Sequence, residues 1–150
     1  MALLDDGPLL EARLREVCTA AGGNIFQAES LAGVKESAQV TPALHLVLGP
    51  YRPTSNDGTS STIWETIWFV VAVVKNQRQG KGAKAVREDS GAGLLLQQAI
   101  AALDGWQCPG TIDLVHAVPP PPPLITAGFG YFPLAFETKC VTDGAPFTGY

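Results

Sequence analysis

Ile63-Trp64-Glu65-Thr66-Ile67-Trp68-Phe69-Val70-Val71-Ala72-Val73-Val74 decides the reading of this chain. Side chains alternate across a strand, so Ile67, Phe69, Val71 and Val73 face one way and Trp68, Val70, Ala72 and Val74 the other. A strand apolar on both sides needs cover on both sides. Trp64 and Trp68, four residues apart, share a face, and tryptophan is favoured where a large area is desolvated against core or neighbour. Both are therefore candidate subunit-contact residues, with identical copies covering part of the strand for one another. Directly after the strand, Lys75, Arg78, Lys81, Lys84 and Arg87 supply half of the ten basic residues.

Outward from this strand the pattern is α+β. Ala43–Leu48 is a second strand, entered through Pro42 and left through Gly49-Pro50. The turn-rich stretch Tyr51–Ser60, with Asn56-Asp57-Gly58 at its centre, makes the pair antiparallel through a long hairpin loop. Asp5, Asp6 and Pro8 open an N-terminal helix with Leu10, Leu14, Val17 and Ala21 at helical spacing, stopped by Gly22-Gly23. Asp89 or Ser90 can cap a second helix, with Leu96, Ile100 and Leu103 along one face and Leu95, Ala99 and Ala102 widening the stripe before Gly105. Asn24–Val40 reads either as a short strand or as a helical turn around Ile25-Phe26, followed by polar residues.

Thr111–Val118 reads as a strand, and Pro119–Pro123, which cannot join a ladder, as a polyproline segment of roughly 15 Å. Tyr131–Val141 is the closing strand, where Pro133 marks an edge, and Thr142–Tyr150 is a loose tail. The expected architecture is one domain over 1–150, a mostly antiparallel sheet of four to five strands with two main helices on one face.

Composition narrows the function classes. The 150 residues are 46% hydrophobic and 16% charged, which favours some apolar surface reserved for partners. A net charge of −4 argues against a dedicated nucleic-acid binder, and no aromatic residue interrupts the basic stretch to stack on bases. Cys18, Cys108 and Cys140 are widely spaced and read as buried thiols of a reducing compartment. The opening M-A-L-L-D-D-G-P is too short an apolar run for a signal or membrane span, so a protein made in a cytoplasm, off the membrane, is expected.

Catalytic constellations are missing. His45 and His116 lie in strand patterns without a local carboxylate or imidazole and read as structural. Gly80-Lys81-Gly82 fails as a phosphate loop because Lys75 stands where glycine is required and Gly82 where Ser or Thr is. Glu88 likewise replaces the first glycine of a nucleophile elbow before Ser90. The expectation is no enzyme, no cofactor and no metal, with the small α+β enzyme as the alternative class. The 75–87 stretch reads as a solvated loop or as a docking loop for an acidic partner surface.

With Leu103-Asp104-Gly105-Trp106 after an apolar helix and Tyr131-Phe132-Pro133-Leu134-Ala135-Phe136 in the closing strand, the chain resembles the tail terminator proteins of Mu-like phages, distantly similar to lambda-type terminators. The order and spacing of the elements carry the resemblance. It implies an α+β subunit forming a homo-hexameric ring on the head-proximal end of a tail tube. Such a ring ends tube polymerisation, presents a surface to the head–tail connector, and lets genomic DNA pass without specific binding. It would sit in the neck of the virion after assembly in the host cytoplasm. The tube protein and the connector are the implied partners, and the 75–87 loop is expected to point along the ring axis toward one of them. A head-closure or tail-completion protein of the same neck is the nearest alternative.

Overall fold

The structure, a computed structural model, describes residues 3–36, 40–55, 61–75, 91–126 and 128–144. Its elements run α1 (Asp6–Val17), β1 (Ile25–Ala28), α2 (Leu31–Glu36), β2 (Ala43–Ser55), β3 (Ser61–Lys75), α3 (Ala92–Leu103), β4 (His116–Val118), β5 (Leu124–Thr126) and β6 (Phe129–Asp143). The strands form a single sheet in the order β1-β2-β3-β6-β4, with β5 also on β6. Among the described residues only β1 is parallel to its neighbour, and the other pairings are antiparallel. The expected α+β class is thus the observed one. Six strands appear because two of the three short ones, β1 and β5, lie in stretches the sequence left open.

The decisive stretch is the central strand β3. Trp68, Val70, Ala72 and Val74 face α1 and α3 and join Leu10, Leu14, Leu44, Leu46, Leu95 and Phe136 in the main core. Burying a side chain such as Leu10 or Leu14 contributes about 1.5–3 kcal/mol, so α1 is held by its apolar stripe. A 3-10 turn at Thr19–Ala21 continues α1 and ends at Gly22, whose left-handed φ of 62° suits glycine. On the other face, Val71 and Val73 pack with Val34, Val47 and Tyr131. Here α2 and the proline run provide the cover, so over residues 69–74 the chain shields both sides of β3 itself. The excess apolar surface expected along the whole strand is thereby confined to its N-terminal half.

Several boundaries differ from the sequence reading, each for a local reason. β2 does not stop at Gly49-Pro50: the register shifts there between Leu48↔Trp68 and Tyr51↔Thr66, and the strand resumes to Ser55. A bulge absorbs the proline, which an end of the strand was expected to do. In α3 the inner face is Ala92, Leu95, Ala99, Ala102 and Leu103, while Leu94 and Ile100, 53% and 40% exposed, point outward. Alanines there permit close approach to α1, locked by Arg13 Nε donating to the Ala102 carbonyl at 2.9 Å. Gly105 does take the left-handed conformation expected after the helix, with φ 79°.

The strand expected over Thr111–Val118 is reduced to His116–Val118. Thr111 Oγ1 donates to the Cys108 carbonyl and Asp113 Oδ1 accepts the Leu114 N–H, both at 2.8 Å. Among the described residues only the Ile112 N–H reaches across to the Lys139 carbonyl of β6, at 2.9 Å, so single bonds stand in place of a continuous ladder here. The Pro119–Pro123 run joins β4 to β5, which pair with β6 at 135–137 and 129–131, and among the described residues 132–134 have no outer strand partner. Pro133 sits in that gap, so it marks a local edge within an otherwise flanked strand. β6 continues to Asp143, two residues into the stretch read as a loose tail, and residues 145–150 lie outside the described ones.

His45 lies on the α2 side of the sheet, 6% exposed, its ring centroid 5.4 Å from that of Phe26. Its Nε2 has no hydrogen-bond partner among the described residues, and burial lowers its pKa below the ordinary 6.5. The folded chain therefore resists a proton that the unfolded chain accepts. Stability is full above pH 6.5 and falls as the pH drops below it, with a slope of at most about 1.4 kcal/mol per pH unit for one proton. Urea midpoints between pH 7 and pH 5 should fall less in His45→Leu than in the parent.

Candidate assembly surface

Asp6, placed by the first turn of α1, ties the helix to the sheet. It is 1% exposed, and its Oδ2 accepts the Trp68 Nε1–H at 3.2 Å and the Thr138 hydroxyl. Gly7 makes the contact possible, since a Cβ there would stand 2.8 Å from Trp68 Cη2. Trp68 thus spends its indole on its own α1 and is 5% exposed. By sequence Asp6 is a dipole-compensating acid, because an acid two residues before a first-turn proline carries no hint of a buried acceptor.

Trp64 is placed differently. It is half-buried, donates from Nε1 to Thr142 Oγ1 at 2.7 Å, and holds its ring 6.2 Å from that of Tyr51. It sits in a three-stranded arm made of the outer parts of β2, β3 and β6. The arm extends past the strands that flank the core: β1 pairs only as far as Val47, and β4 only with 135–137. Among the described residues no strand pairs with the outer side of β2 beyond Val47 or of β6 beyond Glu137, where the Ile112 N–H alone takes up the Lys139 carbonyl at 2.9 Å. Pro50 and Pro53 remove two donors from the β2 edge, which blunts it against indiscriminate pairing.

On the arm's opposite face a charged row crosses four strands. Arg52 Nη2 and Nε donate to Glu65 Oε2 at 3.1 and 3.2 Å. Lys139 Nζ lies 3.9 Å from both Glu65 and Glu137, and His116 Nε2 lies 3.5 Å from Glu137. The two carboxylates are largely shielded, while Arg52 is 76% exposed at its end of the row. Glu137, the carboxylate beside His116, comes from the neighbouring strand across the sheet and not from the local sequence. Charged residues at alternate positions of apolar strands, Glu65 in β3 and Glu137 and Lys139 in β6, were the available signal.

Of the five cations read as a docking loop, Lys75 ends β3 and is exposed, whereas Arg78, Lys81, Lys84 and Arg87 lie outside the described residues. Among the described residues no three His, Cys, Asp or Glu side chains cluster as metal ligands, and no helix is long and apolar enough to cross a membrane. The three thiols are buried, and burial pushes Cys18 and Cys108 up to about 11, which favours the neutral thiol over the thiolate near pH 7.

The profile of a family described as phage tail terminator protein matches residues 1–145. The chain belongs to the phage tail terminator family. Among solved structures, a chain in the virion of a native gene transfer agent (GTA) particle superposes with a TM-score of 0.53 at 14% identity, over 89% of this chain and 92% of that one. That likeness is one of fold. Comparison with curated proteins by sequence gives no match. The terminator family is one of structural phage proteins rather than of enzymes, and membership gives this chain a structural role in the tail or neck.

Proposed function

We propose that this terminator forms a six-membered ring on the head-proximal end of a tail tube, stops tube growth there, and offers its outer surface to the head–tail connector. What carries the reading is the arm: in a chain of this family, a sheet runs beyond its own flanking strands with Trp64 half-buried on one face and a charged row on the other. A ring uses two different patches of each subunit, and an arm reaching from one copy to the body of the next supplies such a pair. Trp64 is the subunit-contact residue in this reading. Trp68 supports it from beneath by fixing α1 to the sheet.

Ring geometry makes modest contacts sufficient. Six docking contacts of about 2 kcal/mol each sum to about 12 kcal/mol before ordering costs, which corresponds to nanomolar binding. DNA must pass without being held, and each cation facing phosphate adds salt-dependent affinity. The basic residues Lys75, Arg78, Lys81, Lys84 and Arg87 therefore point along the ring axis, toward tube or connector, and away from the channel. Sedimentation should show a species of six subunits, and a monomer at all concentrations would reject the ring. Lys81→Glu with Lys84→Glu should leave that species intact and reduce tail joining by tenfold or more, on the order of 1.4 kcal/mol or above; unchanged joining would remove the loop from the contact.

A further inference from the structure

An apolar slot of about 160 Å³ opens on the α2 side of the sheet. Leu31 and Val34 of α2, Pro121 and Pro122 of the proline run, and Val71 and Tyr131 of the sheet line it. None of its lining residues is charged, and Leu31 and Leu124 at the slot are 38% and 40% exposed. A dry cavity of about 150 Å³ lined by aliphatic side chains takes a benzene ring, so this slot has room for one phenyl group.

We infer that the slot receives Phe147 from the C-terminal segment of the adjacent copy; the inference rests on the ring proposed above. The stretch Gly144-Ala145-Pro146-Phe147-Thr148-Gly149-Tyr150 follows β6 and contains no charged residue, which matches a slot with no charge to offer. Pro146 restricts the chain before the phenyl group and lowers the ordering cost of docking.

Reach decides whose slot it is. β6 ends at Asp143, paired with Ser61 at the far end of the arm, and Pro133 beside the slot is ten residues back along the same strand. At about 3.3 Å per residue the strand end stands roughly 33 Å from its own slot. Phe147, four residues past Asp143, reaches at most about 14 Å, and Tyr150 about 25 Å. The segment cannot return to its own subunit's slot. A neighbour, met by the arm, can bring its slot within range.

The test is a disulfide trap in the full chain that leaves Phe147 in place: Leu124→Cys at the slot combined with Thr148→Cys beside the phenyl group. The native thiols are at most 2% exposed and do not compete. Oxidised rings should run on a non-reducing gel as a ladder of covalent oligomers, absent from either single variant. Adding Phe147→Asp should cut the cross-linked fraction by about tenfold or more, because a carboxylate has no partner in the slot. A cross-link within one subunit, rings without cross-links, or a ladder indifferent to Phe147→Asp would each overturn the inference while leaving the ring standing. A chain that forms no ring would overturn the ring reading, and this inference with it.

Discussion

Asp6→Ala is expected to lower the unfolding free energy by about 3–5 kcal/mol. The Trp68 Nε1–H and the Thr138 hydroxyl both donate to Asp6 Oδ2, and Asp6 is 1% exposed. Removing the acceptor strands two buried donors, and each costs about 1–3 kcal/mol, partly offset because the buried Asp6 Oδ1 has no partner among the described residues. A urea titration measures the result through the midpoint at constant slope. Asp6→Asn keeps an oxygen in place and should lose markedly less. A drop below about 1 kcal/mol for Asp6→Ala would mean that α1 is held by Leu10 and Leu14 alone.

Trp64→Ala is expected to act on assembly and to spare the fold. The side chain is half-buried and makes one hydrogen bond, to Thr142, so the isolated subunit should lose about 1–2 kcal/mol. Truncating a central interface tryptophan costs 2 kcal/mol or more per contact, about 30-fold in affinity, and a closed ring of six repeats that loss at every junction. Sedimentation at micromolar concentration should then show folded monomer where the parent shows rings. Intact rings from the variant would take Trp64 out of the interface.

Much of the fold was legible because its signals are local and repeated. The two-faced pattern of Trp68–Val74 specifies a central strand, and Leu10 and Leu14 give the spacing of a packed helix. The polarity of the hairpin was legible too, since turn residues separate β2 from β3. What escaped the sequence depends on partners brought from afar. The cover over Val71 and Val73 comes from α2 and the proline run, and neither has periodicity long enough to be read. Ile100 looked like a core position by spacing, but close packing of Ala99 and Ala102 against α1 rotated the stripe and left it outside. The candidate surface was read less completely than the fold. Trp64 was visible as a large apolar residue near a strand end, whereas the pairing of Arg52, Glu65, Lys139, Glu137 and His116 exists only once β2, β3, β6 and β4 lie in register.

The most direct test of the terminator reading adds the purified chain to growing tail tubes and images them by negative stain. Six-fold rings should cap one end of every tube, and tube length should stop increasing from the moment of addition. Tubes that lengthen with bare ends, while the chain stays in the unbound fraction, would contradict the account.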